Sequence, residues 1–286
     1  MKPAYFEYRS PRSIEEAVDL LGQEGEDGKV LAGGQSLVPS MNFRLARPTF
    51  IVDINRVPGL GGVEVVDGRL SVGALVRHVE LERTSLTDPL GELLRRAGRC
   101  VGHLPIRIRG TFGGSLVHAD PAAEWCLIAA TTGAEMRTER VRGGRVIPAE
   151  DFFETVFTTA MTEDELLVEA RLPLLGDGAH VGFAEFSRRA GDFALVAAAA
   201  VLWVDDGRIR AARIGLGGVA GHPVRAVRAE EVLVGDSLTP AVSAEAASAA
   251  ALEVEPIGDI HGSPDYRRDL VRAMVVRALG QIERDL

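Results

Sequence analysis

Two short stretches, Ala32-Gly33-Gly34-Gln35-Ser36-Leu37 and Gly110-Thr111-Phe112-Gly113-Gly114-Ser115, decide how this chain is to be read. In each, paired glycines sit beside small hydroxyl residues. Glycine admits positive φ and lets a ligand come close to the backbone. Successive N–H groups can then converge on one concavity and bind an anion. Ser36, Thr111 and Ser115 add hydroxyl donors. Neither stretch holds a Lys or Arg, although Arg109 adjoins the second. A diphosphate bound here would be held mainly by backbone dipoles. One Gly-Gly turn is more often just a turn; two of like composition in one acidic chain point to phosphate binding.

The first stretch follows Lys29-Val30-Leu31-Ala32, which reads as a short strand. Upstream, Ser13 and Glu16 form a capping box, and Ile14, Ala17, Val18 and Leu21 then share one helical face. A second strand runs from Thr49 to Ile54. Next, Val63–Val66 and Leu70–Val72 flank Asp67-Gly68, a strong hairpin signal. A helix is predicted from Pro89 to Cys100. Another is predicted to begin at Pro121, with Asp120 before it as N-cap. Strands are predicted at Ala134–Thr138 and Leu166–Leu172. Leu175-Gly176-Asp177-Gly178 is the linker candidate. Beyond it, Phe193–Val204 and Arg208–Leu216 flank Asp205-Asp206-Gly207, a second hairpin. Ser243–Glu253 is an alanine-rich helix, and Ser263 caps a last helix whose inner stripe runs from Leu270 to Ile282. This pattern divides the chain into residues 1–57, 58–176 and 177–286, the last a separate α+β unit.

Length and composition narrow the function. The chain has 286 residues, enough for about two domains, and 46% are hydrophobic, as in a soluble globular protein. With 32 basic and 41 acidic residues the formal charge is −9. Such a chain lacks the positive field that draws nucleic acid or anionic lipid. The longest apolar run, Phe193 to Val204, is too short to cross a bilayer. The start, Met1-Lys2-Pro3-Ala4, leads into charged sequence without an apolar signal segment. The two cysteines, Cys100 and Cys126, cannot ligate an iron–sulfur cluster or zinc by themselves, and the cytoplasm is the expected compartment.

Other motifs are weaker. Gly215-Leu216-Gly217-Gly218-Val219-Ala220 fits a relaxed dinucleotide pattern. Gly221-His222-Pro223 interrupts the helix that should follow, so it reads as a glycine-rich strand end. No pair of the six histidines has metal-ligand spacing on a helix face, and no metal site is expected. His118 stands out only for lying just beyond Gly114. Ser36 and Ser115 are not in a nucleophile elbow. Asp120 and Glu124 at a helix start serve capping and dipole pairing, or hydrogen bonding to a polyol; both hold for Asp120. Arg188-Arg189 before Gly191-Asp192-Phe193 is either a solvated basic pair or a charge pair facing a cofactor ring.

In order and spacing these motifs resemble the FAD-binding medium subunit of the molybdenum hydroxylases, the family of aerobic carbon monoxide dehydrogenase and xanthine dehydrogenase. The likeness covers essentially the whole chain. It rests on Ala32-Gly33-Gly34-Gln35-Ser36-Leu37-Val38-Pro39, Arg109 to Ser115, Ala119-Asp120-Pro121-Ala122-Ala123-Glu124, Arg189-Ala190-Gly191-Asp192-Phe193-Ala194 and the tail around Tyr266-Arg267-Arg268. The resemblance implies an α+β fold: a two-lobed FAD-binding fold of the vanillyl-alcohol-oxidase-like (PCMH) type, then a C-terminal domain of antiparallel sheet with helices. It implies that Ala32, Gly33, Gly34, Gln35, Ser36 and Leu37, with Thr111, Phe112, Gly113, Gly114 and Ser115, hold the FAD diphosphate. Ser115, His118 and Glu124 would follow the ribityl–phosphate chain, and Leu167 would pack near the isoalloxazine. Phe193 would supply an aromatic close to the ring, with Arg188 and Arg189 on its approach side. Position 35 is Gln and the first loop has no His or Cys, so the FAD would be non-covalent.

The resemblance also implies a division of labour. A large subunit holds the molybdenum–pterin cofactor and a small subunit two [2Fe–2S] clusters. This chain takes electrons from those clusters through FAD to an external acceptor, with no catalytic residue of its own for the organic substrate. The assembly would be a heterohexamer, a dimer of heterotrimers. The substrate meets the large subunit, so carbon monoxide, a purine, an N-heterocycle or an aldehyde all suit this chain. NAD, a quinone, oxygen or a carrier protein all suit it as acceptor. Two alternatives stand beside this reading: a stand-alone FAD-dependent oxidase of the same flavin fold, and a scaffold that has lost its cofactor. Gly114→Val is expected to clash with the diphosphate and separate the last from the first.

Overall fold

The computed structural model describes residues 2–286, so Met1, which heads the expected leader-free start, lies outside the described residues, as do the side chains of Glu24 and Glu26. Among the described residues three larger sheets form, beside a two-stranded one that pairs Phe153–Thr155 with Thr158–Thr159. The first is parallel, in the spatial order Glu7–Arg9, Phe50–Asp53, Gly28–Leu31. Its helix, Ile14–Glu24, starts where the Ser13 hydroxyl accepts a hydrogen bond from Glu16 N at 3.1 Å. Glu16 reaches back to Arg12 N at 2.7 Å rather than to the cap residue. Ala17, Val18 and Leu21 then bury against Phe50, Val52 and Ile54.

The second sheet is antiparallel, ordered Val63–Val66, Arg69–Gly73, Leu166–Pro173, Glu135–Glu139, Arg145–Pro148. Asp67 and Gly68 both take positive φ, as their hairpin turn demands. The central strand Leu166–Pro173 serves two cores. Leu166 and Val168 join the core of the first sheet, while Leu167, Ala170 and Leu172 face that of the second. A register shift between Leu167 and Glu169 accompanies the changeover.

The third sheet is antiparallel, ordered Ala179–Phe186, Val196–Asp205, Arg208–Gly217, Val224–Arg225. Val196–Asp205 contains most of the long apolar run, and its composition follows from burial on both faces. Val196, Ala198, Ala200 and Leu202 pack under the helix Pro264–Asp285, which the helix Pro240–Leu252 covers in turn. Ala197, Ala199 and Val201 point the other way, into the core of the second sheet. Arg208–Gly217 lies against the helix Glu124–Thr132, because Gly215 has no side chain to meet Thr131 and Leu127. That contact is the work of the glycine-rich strand end.

The free edge of Ala179–Phe186 is closed by side chains. Gln281 accepts from Phe183 N at 3.0 Å and donates to Phe183 O at 2.7 Å. Arg96 donates to Val181 O at 2.9 Å. A carboxamide thus stands in for a neighbouring strand, satisfying backbone groups that would otherwise be open for pairing.

Outside the glycine stretches, two elements differ in kind from their sequence reading. The helix expected from Pro121 begins at Glu124, because the Asp120 carboxylate caps a turn by accepting from Ala122 N at 2.9 Å. The expected linker is not loose: Asp88 accepts from Leu175 N and Gly176 N at 3.1 and 2.9 Å, and Trp203 donates to Leu175 O at 2.9 Å. Among the described residues no helix is long and apolar enough to cross a membrane.

Candidate functional site

The two glycine stretches meet. A Cβ on Gly33 would lie 2.5 Å from Arg109 O and 2.7 Å from Gly110 Cα. Only glycine permits that approach, so the loops form one continuous wall between the first and second sheets. Their jobs differ, however. In the first loop Gly34 has φ +71°, and the N–H groups of Gly33, Gly34, Gln35 and Ser36 make no hydrogen bond to any described residue. Consecutive unpaired N–H groups at a positive-φ turn make an anion-binding concavity. Gln35 folds back to donate to Gly33 O at 3.0 Å, and Leu37 begins the short helix Leu37–Asn42.

In the second loop the N–H groups are already used. Phe112 N donates to Val76 O, Gly113 N to Ala74 O, Gly114 N to Thr111 Oγ1 and Ser115 N to Thr111 O. What read as a loop is the N-terminus of a helix, Phe112–His118, capped by Thr111. Its glycines serve contact: Gly113 lies on Ala74, and Gly110 on the His78 ring. Phe112 is buried edge-on to Trp125, and Trp125 Nε1 donates to His78 Nδ1 at 2.9 Å. Ser115 is half-buried, and a Cβ on Gly114 would lie 4.0 Å from Ala32 Cβ.

Two clefts flank this wall. One, of about 550 Å³, is bounded by Ala32–Gln35, Val38, Asp53, Asn55, Arg77 and Arg109. The other, of about 600 Å³, is bounded by Asp120, Phe157, Arg188, Phe193, His261 and Arg267. The Phe112–His118 helix runs from the first towards the second over about 10 Å. At its far end His118 stacks on Phe157, with ring centroids 4.8 Å apart. Burial lowers the His118 pKa, with Asp120 opposing. Phe193 is 58% exposed and Arg188 is exposed at the mouth of the second cleft. Leu167, by contrast, is 3% exposed in the core and lines neither cleft.

Sequence reasoning gave no site role to four residues here, although Arg267 lies in the quoted tail. Asn55 and Arg77 enter the first cleft from outside both loops, and His261 and Arg267 enter the second from the C-terminal tail. Arg267 is 92% buried: it donates to Leu195 O and Asp259 at 2.7 and 2.8 Å, yet its Nε has no partner, and neither has His261 Nδ1. No local pattern marks Asn55, Arg77 or His261.

Glu124 is buried at the start of its helix. Burial, then Glu185 and Asp120, push its pKa up to about 8, and burial raises Glu185 to about 7. Burial lowers His78 to about 4, with Arg77 and Arg107 adding to the shift. Carboxyls raised above their unfolded values favour the folded state at low pH and lose that advantage as pH rises; a lowered histidine does the reverse. Folding stability of the flavin-free chain should therefore fall as pH rises from 6.5 to 8, where His78 is neutral in both states. Below about pH 6.5 His78 offsets one of the two carboxyls, so the slope should be shallower there. Denaturant midpoints across this range should slope downward above pH 6.5, and Glu124→Gln should flatten that slope. An unaltered slope would show that Glu124 titrates normally.

The geometry fits an extended ligand with an anionic part: unpaired N–H groups bound one of two clefts of nucleotide-like size, in a wall that any Cβ at Gly33 would force apart. Comparison with known proteins agrees. Residues 4–175 match the FAD binding domain in molybdopterin dehydrogenase, and residues 182–282 the CO dehydrogenase flavoprotein C-terminal domain. The chain belongs to this family of molybdenum hydroxylase FAD subunits, and it is an oxidoreductase subunit. It is 39% identical to the 6-hydroxypseudooxynicotine dehydrogenase complex subunit alpha of Paenarthrobacter nicotinovorans, over 98% of this chain and 95% of that one. It is 34% identical to the carbon monoxide dehydrogenase medium chain of Hydrogenophaga pseudoflava, over 98% and 97%. Among solved structures it is similar to quinoline 2-oxidoreductase from Pseudomonas putida 86, with TM-score 0.95, 38% identity, and 100% and 99% of the two chains covered.

Proposed function

We propose that this chain is the FAD-carrying electron-transfer subunit of a molybdenum hydroxylase complex, and that its wall and two clefts hold one non-covalent FAD. The observation that carries the reading is the set of unpaired N–H groups from Gly33 to Ser36, set against Arg109 and Gly110. These donors, with Gln35 and Leu37 fixing the turn, take the diphosphate. Gly113 and Gly114 keep the opposing wall close, with Thr111 and Phe112 anchoring it. Ser115, His118 and Glu124 follow the ribityl chain, Glu124 as a neutral acid able to donate. Phe193 and Arg188 meet the ring at the second cleft, while Leu167 stays in the core outside both clefts. When bound, FAD supplies the redox chemistry, accepting electrons from a partner's [2Fe–2S] clusters and releasing them to an external acceptor.

In this reading residues 1–57 and 58–176 are the two lobes of the FAD domain and 177–286 the C-terminal domain. The relatives are named as members of multi-subunit dehydrogenases, and by analogy this chain joins a small [2Fe–2S] subunit and a large molybdenum–pterin subunit in a cytoplasmic heterohexamer. Phe43 and Leu45 are 67% and 83% exposed, as expected of surface that a partner covers. The test is purification from the native host. Flavin with molybdenum, iron and two further chains is the expected result. Flavin in a lone chain that a donor reduces directly would overturn the subunit reading in favour of a stand-alone oxidase. A correctly folded chain that takes up no FAD on titration would overturn both.

A further inference from the structure

A line of hydrogen bonds crosses from the first sheet to the second through the cleft beside the N–H concavity. Asp53 Oδ1 accepts from Asn55 N at 2.9 Å and from Asn55 Nδ2 at 2.6 Å, and Tyr8 OH donates to Asp53 Oδ2. These bonds decide which way the Asn55 carboxamide points. Its Nδ2 also donates to Ala32 O at 2.8 Å, and its Oδ1 accepts from Arg77 Nη2 at 2.9 Å. The other arm of the same guanidinium, Nη1, donates to Arg109 O. Arg77 N is held in turn by Glu80 Oε1 at 2.8 Å. Ala32 O belongs to the first glycine stretch and Arg109 O immediately precedes the second. One amide and one guanidinium therefore bridge them. Arg109 O is also the atom against which Gly33 packs.

We propose that Asn55 and Arg77 form a strut that fixes the spacing of the two glycine stretches, making both positioning residues for the diphosphate-bearing ligand. The inference rests on the flavin reading above. The strut also answers a question of charge: the two stretches carry no cation, yet Arg77 and Arg109 both border the cleft. Burial lowers the Arg77 pKa and Arg109 lowers it further, so its guanidinium sits in a partly dry, cation-rich place suited to an anion. Asp53 would oppose an anion there, but its charge is spent on Tyr8 and Asn55. Its role is to orient the amide. A lysine at 77 could not replace the arginine, because a single ammonium lacks the fork that reaches Asn55 Oδ1 and Arg109 O together.

The experiment compares full-length, flavin-free wild type, Asn55→Ala, Arg77→Met, Arg77→Lys and Asp53→Asn. FAD affinity is read by flavin titration and ADP affinity by competition. The controls are the thermal midpoint of the flavin-free chain and the visible circular dichroism of flavin at saturation. Asn55→Ala and Arg77→Met should each weaken FAD and ADP at least about tenfold, the loss of one charge-assisted hydrogen bond. Arg77→Lys should recover only part, and Asp53→Asn should show a smaller loss of the same kind. Flavin dichroism at saturation and the thermal midpoint should stay near wild type, which general damage to the fold would not allow. Unchanged FAD and ADP affinities beside a flavin-binding wild type overturn the strut alone, as does a loss that tracks falling midpoints. A wild type that binds no FAD overturns the flavin reading, and the strut falls with it.

Discussion

Gly33→Ala should cut FAD affinity by about 30- to 100-fold while leaving the far-ultraviolet dichroism of the chain unchanged. The added Cβ would stand 2.5 Å from Arg109 O and 2.7 Å from Gly110 Cα, both backbone atoms. Backbone cannot swing aside as the end of a side chain can, so the two stretches must part. Overpacking of this kind costs about 1–3 kcal/mol, and here it falls on the spacing that the diphosphate reads. Gly61→Ala is the matched control, since a Cβ there meets nothing within 4 Å. Equal FAD affinity in both variants would show that the ligand does not span the wall. Gly114→Val is the less informative change, because its Cβ would first meet Thr111 Oγ1 at 2.7 Å and disturb the helix cap.

The second large effect is on stability. Gly182→Val should lower the thermal midpoint by about 6–12 °C, from a destabilisation of about 3 kcal/mol. Gly182 lies where the strand Ala179–Phe186 touches the C-terminal helix Pro264–Asp285. A Cβ would run into the Ala278 carbonyl, with Ala278 C only 2.8 Å away. Pushing the helix off would also draw Gln281 from Phe183 and reopen the strand edge. Differential scanning calorimetry measures this directly. A midpoint within 2–3 °C of wild type, about the effect of 1 kcal/mol, would mean that helix and strand slide apart at little cost.

How much of this was legible beforehand follows from the range of each interaction. Asp67-Gly68 and Asp206-Gly207 announced their hairpins because a two-residue turn is a local object, and both residues of each pair have positive φ. Ser13, Ser263 and the last helix were equally local. The Phe112–His118 helix was not legible. Gly113 and Gly114 are poor helix formers, and the helix exists because Ala74, Val76 and Trp125 hold its backbone and its Phe112. The two stretches looked equivalent in composition, yet partners far along the chain consume the N–H groups of one and leave those of the other open. Asn55 and Arg77 could not be found at all: a parallel sheet and a hairpin bring them to Ala32 and Arg109, and no spacing in the sequence records that meeting. The glycine pattern supplied the loops and the family resemblance the cofactor, but neither supplied this cross-link.

The shared strand Val196–Asp205 has a consequence for biosynthesis. One of its faces completes the apolar interior that also holds Phe112, Trp125 and Leu167. As the chain leaves the ribosome, the flavin-bearing half therefore cannot close when its own last residue emerges. It must wait for Ala197, Ala199 and Val201, and those are held in place by helices made last of all. Until then the nascent protein shows an open greasy flank, the sort of surface that chaperones hold and that aggregates when left bare. Loading of the dinucleotide is therefore expected of the finished polypeptide rather than of the growing one.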